Sequence, residues 1–75
     1  MKVIQEKNLK GMICPYIILE VLKEISLLKS SQCIKFHVDD RMAPAEIEEE
    51  IGNDDSYKIE IVEKFDTWEI VICSL

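Results

Sequence analysis

The apolar residues of this chain change period along its length, and that change restricts the fold more than any other feature. From Pro15 to Lys29, Ile18, Val21, Leu22, Ile25 and Leu28 recur at helical spacing, while Glu20, Lys23 and Glu24 fall largely on the other side. The period then drops to two. Ile34, Phe36 and Val38 share one face of a strand running from Cys33 to Val38, and Cys33, Lys35 and His37 share the other. Asp39 and Asp40 stop it. A short helix follows, opened by Pro44, with Ala43, Ile47 and Ile51 four residues apart on one edge, glutamates over the rest, and Gly52 as the C-cap. Two more alternating runs close the chain: Tyr57, Ile59 and Ile61, then Trp68, Ile70 and Ile72, with Lys64 to Thr67 as a tight hairpin between them.

At the start, Lys2 to Asn8 reads as a short edge strand and Gly11 marks a turn. The order is therefore β-α-β-α-β-β, and each element has one apolar face. The solution that buries all of these faces is an α+β two-layer sandwich: a four-stranded mixed sheet with both helices on one face, as right-handed crossovers require. The expected core is Ile18, Val21, Leu22, Ile25, Ile34, Phe36, Ile59, Ile61, Ile70 and Ile72. The opposite face then carries Lys35, His37, Lys58, Glu60, Val62, Glu69, Val71 and Cys73. Val62, Val71 and Cys73 on it read either as scattered surface apolars or as a small contact patch.

A chain of 75 residues has room for one domain and one modest core, so residues 1–75 are taken as a single unit. Its 48% hydrophobic content is that of a folded globule. Fifteen acidic against nine basic residues give a net charge of −6, which repels a phosphate backbone, excludes direct grip on nucleic acid and favours basic partners. No apolar run approaches the ~20 residues of a membrane span, and the start lacks the apolar stretch of a signal peptide. Three cysteines at 14, 33 and 73, with no zinc-type spacing, indicate neither a disulfide framework nor a metal site, and the expected compartment is the cytoplasm. No cofactor is called for.

The chemistry concentrates at Cys14. Directly ahead of Pro15, which suits the first helical position, Cys14 is expected at the N-cap of the main helix. A thiolate there meets unpaired backbone N–H groups and the positive end of the helix dipole, so its pKa is expected below that of a free thiol. Thiolate is the form that attacks sulfur and holds a transferable persulfide. Position alone leaves this reading level with that of a small residue in a turn. His37, the only histidine, sits mid-strand and reads as an ordinary surface residue; Cys33 reads as a neutral spacer, and Cys73 lies opposite the core face of the last strand.

Gly11-Met12-Ile13-Cys14-Pro15 resembles the Gly-Leu-x-Cys-Pro motif that opens the first helix in the TusA/SirA-like sulfur-carrier family, and Asp39-Asp40 resembles the family's Asp-Asp after the second strand. Element order and length agree over nearly the whole chain. Two departures stand out: Ile17 replaces the second proline of Cys-Pro-x-Pro, and Lys7-Asn8 replaces the Leu-Asp ahead of the glycine. The resemblance implies a small carrier, rather than a stand-alone enzyme, holding a persulfide on Cys14, with Gly11 and Pro15 supporting the helix start and Asp39 and Asp40 as a matching acidic pair. It implies a cysteine desulfurase or other sulfurtransferase as donor and an acceptor enzyme in tRNA thiolation, cofactor assembly or sulfur metabolism. The chain itself is expected as a monomer or weak dimer. Two other readings stay open: a non-catalytic adapter or regulatory subunit with the same fold, and a redox sensor pairing Cys14 with Cys33 or Cys73.

Overall fold

The computed structural model describes residues 2–13 and 15–75, with side chains from Gln5 onward. Its elements are β1 (Lys2–Asn8), α1 (Tyr16–Ile25), β2 (Gln32–Val38), α2 (Ala43–Ile51), β3 (Tyr57–Glu63) and β4 (Trp68–Ser74). They form one four-stranded sheet in the order β1-β2-β4-β3. β1 and β2 run parallel, joined by α1 as the crossover, whereas β4 is antiparallel to both β2 and β3. The expected α+β two-layer sandwich is the fold, and β1 is an edge strand as its position and weak alternation suggested.

The core lies between the helices and one face of the sheet. Ile34, Phe36 and Val38 of β2 and Ile70 and Ile72 of β4 are buried there against Ile17, Val21 and Ile25 of α1 and Ala43, Ile47 and Ile51 of α2. Among the described side chains, the buried residues of the sheet lie on β2 and β4, the two central strands. Ile59 and Ile61, expected in the core, are only half-buried, since β3 forms the far edge and the helices do not reach fully over it. Leu9, unassigned in the sequence reading, is buried; its N–H donates to the His37 carbonyl at 2.8 Å and carries the β1–β2 ladder one residue past Asn8.

Two expectations about α1 need correction. The helix runs from Tyr16 to Ile25, not from Pro15 to Lys29. It stops where Ser26 turns its hydroxyl onto the Lys23 carbonyl at 2.7 Å, and Leu27 and Leu28 fall back to carbonyls only three residues behind, so the last turn tightens and ends. Past that end, Ser31 takes a left-handed backbone (φ 69°) in the turn into β2. The buried stripe is also rotated. Ile17, Val21 and Ile25 are its centre, Ile18 and Leu28 are half-buried, and Leu22 points outward. Apolar residues surround most of this helix, so spacing alone did not say which line faces the sheet.

α2 matches its reading, with Pro44 in its first turn, Ala43, Ile47 and Ile51 buried, and Gly52 as C-cap. The hairpin between β3 and β4 closes through the Lys64 N–H and the Thr67 carbonyl at 2.8 Å.

The uncovered face differs from expectation at its cysteines. Cys33 and Cys73 are direct cross-strand partners with Cα atoms 4.0 Å apart, and they form a disulfide. Cys33 is therefore not a neutral spacer on a polar face: both cysteines are buried, and their bond clamps β2 to β4. The absence of a framework pattern in the cysteine count gave no hint of this, because two residues 40 apart meet only through strand register. Farther along the same face, the His37 imidazole sits 2.9 Å from Glu6 and 3.8 Å from Glu69, and Glu69 lies 3.9 Å from Lys35. These charges lace β1, β2 and β4 together. With Cys73 in the disulfide, Val62 is the exposed member of the expected apolar trio, next to a half-buried Val71.

Candidate functional site

The segment around the motif lies at the end of the sheet where β1 and β2 finish. Asn8 leaves β1 and accepts a hydrogen bond from the Lys10 N–H at 2.9 Å, which bends the chain. Gly11 completes the turn with φ 88°, a left-handed conformation that favours glycine; no neighbour crowds it, so the requirement is the backbone angle, not space. The Gly11 N–H then donates to the Asp39 carboxylate at 3.0 Å, across 28 residues of sequence. Asp40 uses its own carboxylate on the Met42 N–H at 2.9 Å, and its carbonyl accepts from Ala43 at 3.1 Å, ordering the turn into α2. The two aspartates thus have separate tasks: Asp39 ties the loop ahead of Pro15 to the end of β2, and Asp40 starts the second helix.

Cys14 lies outside the described residues, and so does its expected N-cap placement. Its neighbours are described. Pro15, expected as the first helical residue, stands just outside the helix as its N-cap (φ −89°, ψ 1°), with its carbonyl accepting from Leu19 at 3.2 Å. The Tyr16 and Ile17 N–H groups both turn back to the Ile13 carbonyl, at 2.9 and 3.2 Å. Two of the donors expected to be unpaired at this helix start are therefore engaged. The dipole of the ten-residue helix remains.

Ile17 is fully buried. The residue that departs from the family motif is thus a core residue whose N–H bonds the preceding turn, a bond that proline lacks. The surface around the motif is formed instead by Ile13, Tyr16 and Leu19, each about 60% exposed (61%, 60% and 62%). These three large apolar side chains face solvent.

Besides Asp39, charges on β1 and α1 pair with one another. Lys7 Nζ lies 2.7 Å from Glu20 and 3.2 Å from Glu24, so the lysine that replaces the family's leucine is paired to the helix. Those hydrogen bonds raise the Lys7 pKa above the ordinary lysine value, and the bond to Lys7 lowers that of Glu20. Across the sheet, the hydrogen bond to His37 lowers Glu6. His37 is thus held by carboxylates on the uncovered face, whereas Asp39, the tie to the loop, lies just beyond the end of its strand.

A second feature of the same end was not read from the sequence. Asp39, Arg41, Glu63, Phe65, Asp66 and Trp68 line a cleft of about 610 Å³ between the start of α2 and the β3–β4 hairpin. An aromatic residue in a charged hairpin turn was the available signal. Among the described residues, no group of three or more His, Cys, Asp or Glu is placed to hold a metal ion. No described helix is long and apolar enough to cross a membrane.

A two-layer domain with a glycine turn ahead of Pro15 at the start of its crossover helix defines a class, and comparison with known proteins places the chain within it. Residues 5–74 match the family model described as Sulfurtransferase TusA, and the chain belongs to that family. The crystal structure of a SirA-like protein from Desulfitobacterium hafniense superposes with a TM-score of 0.75, covering 92% of this chain and 95% of that one at 18% identity, which shows the shared fold. No curated protein sequence matches the chain. Family membership supports a role in sulfur transfer, together with other sulfurtransferases.

Proposed function

We propose that this chain is a sulfur carrier that accepts sulfane sulfur as a persulfide on Cys14 and delivers it to an acceptor enzyme. Cys14 thiolate attacks the terminal sulfur of a persulfide on a cysteine desulfurase or other sulfurtransferase. The donor's sulfur–sulfur bond breaks, its cysteine leaves as thiolate, and the new bond forms on Cys14. Attack by an acceptor thiolate on the terminal sulfur reverses the roles and returns Cys14 thiolate. No net oxidation occurs, so no cofactor takes part. The acceptor belongs to tRNA thiolation, cofactor assembly or sulfur metabolism, and the cytoplasm is the compartment in which such a relay operates.

The observation that carries this reading is the Gly11–Asp39 hydrogen bond. It ties the glycine and the first aspartate of the family pattern to one loop, the one that leads toward Pro15, and this supports the reading. The exposed Ile13, Tyr16 and Leu19 beside that loop supply a surface on which donor and acceptor alternate. The missing second proline does not favour the adapter reading, because Ile17, being core, does not alter the exposed surface. A sensor pairing Cys14 with Cys33 or Cys73 is disfavoured because those two cysteines are bonded to each other.

Incubation with a cysteine desulfurase and cysteine tests the proposal. The intact mass gains one sulfur atom, a thiol reductant removes it, and the C14S variant gains none. An unchanged wild-type mass, or a gain that persists in C14S, overturns it.

A further inference from the structure

The cleft beside the loop has a composition that the sulfur chemistry does not use. Its wall on the hairpin side carries Phe65, fully exposed at the turn, and the half-buried Trp68. Asp39, Glu63 and Asp66 bring three carboxylates against the single cation of Arg41. Among the described residues, Arg41, Glu63 and Asp66 make no side-chain hydrogen bond or ion pair with one another or with neighbours. The cleft is thus acidic, has aromatic faces open to contact, and shares Asp39 with the loop ahead of Pro15.

We propose that this cleft receives an arginine side chain from the protein that docks over the loop. The chemistry selects the residue. A guanidinium stacks on aromatic faces while its edge donates paired hydrogen bonds to carboxylates, and it is more weakly hydrated than an ammonium, so Phe65 or Trp68 and the carboxylates of Glu63 and Asp66 engage one group at once. A lysine offers a point charge without the plane. An anionic ligand has Arg41 alone to meet it and three carboxylates to oppose it. Because Asp39 belongs both to the cleft and to the loop tie, an arginine seated here registers its parent protein against the motif. The partner's identity rests on the carrier reading above; the binding chemistry of the cleft does not.

Trp68 is the only tryptophan, so its indole N–H resonance reports on this cleft without ambiguity. The probe is the peptide acetyl-Gly-Arg-Gly-amide, with the citrulline peptide as its uncharged counterpart and inorganic phosphate as the anion, titrated to high millimolar concentration into isotopically labelled full chain. The arginine peptide is expected to shift the Trp68 indole and the Phe65 and Asp66 amides saturably, and the citrulline peptide to leave them in place. F65A is expected to weaken the response about two- to fivefold, the range of one exposed cation–π contact. E63Q/D66N weakens it further, and R41A strengthens it by removing the competing cation. Equal shifts with both peptides, or no localised shift, overturn the proposal; so does saturable phosphate binding that R41A abolishes. Unchanged spectra of the variants away from the hairpin establish that they fold. A chain that loads sulfur on Cys14 yet ignores the arginine peptide refutes the cleft alone, and a chain that binds the peptide there but never gains sulfur refutes the carrier alone.

Discussion

At the residue scale, two positions carry more of the site than their size suggests. Asp39 is the sole side-chain tie seen between β2 and the Gly11 turn among the described residues. Replacing it with alanine is expected to speed amide hydrogen exchange at Gly11 and to cost about 0.5–1.5 kcal/mol, the net worth of one such hydrogen bond. The D39N variant, whose amide oxygen still accepts, keeps most of the protection. Ile17 makes the opposite point. Restoring the family's proline there removes a fully buried side chain and the N–H that reaches the Ile13 carbonyl. I17P is expected to destabilise the fold by about 2–4 kcal/mol in a denaturant melt, even though it brings the motif nearer the family pattern. Asp39 and Asp40 stood out only through the family resemblance, whereas Gly11 was legible in the sequence as a turn, because a positive φ has a recognisable residue type. The division of labour between Asp39 and Asp40 was not, since it depends on which N–H each carboxylate meets in space.

At the scale of elements, the helix on β1 and the clamp between β2 and β4 each give a measurable quantity. Lys7 holds Glu20 and Glu24 on α1. Glu20 has a lowered pKa in the folded state, so its contribution is present above the ordinary glutamate range and is lost as pH falls through the depressed value. Lys7 has a raised pKa, so its contribution is present below the ordinary lysine value and is lost as pH rises through the raised one. Stability measured against pH is therefore expected to fall off on both flanks, and K7M to flatten both limbs; an unaltered pH profile would show that the pair is spectator to folding. On the other face, the Cys33–Cys73 disulfide closes a long loop. Alkylation of the denatured chain without reductant is expected to label one cysteine, and three after reduction. The C33A/C73A variant is expected to lose about 2–4 kcal/mol. Both cysteines occupy the polar phase of their strands, which was visible in the alternation; that they stand opposite each other was not, because strand register comes from the assembled sheet. For the same reason the order of elements was readable from periodicity, whereas the rotation of α1 was hidden by a helix apolar on most sides.

At the scale of the whole molecule, charge governs encounter. A net charge of −6 on so small a body attracts basic surfaces from a distance, and the attraction is screened by salt. The association rate with a donor sulfurtransferase is expected to fall steeply with ionic strength while the dissociation rate changes little, in stopped-flow measurements at several salt concentrations. A rate indifferent to salt would show that long-range charge does not steer recognition. The strand pairings also decide where the chain can be joined to something else. Lys2 pairs with Gln32 and Cys33 pairs with Cys73, so the first and last strands begin and finish at the same pole, separated by β2 and roughly 10 Å apart at the usual strand spacing. The Gly11 turn and the hairpin cleft occupy the other pole. A tether, a second domain or a peptide bond between the two ends would therefore hang from the side facing away from the motif, which makes this fold a ready cassette: it can be spliced into a longer polypeptide, or circularly permuted, with its working pole left unobstructed.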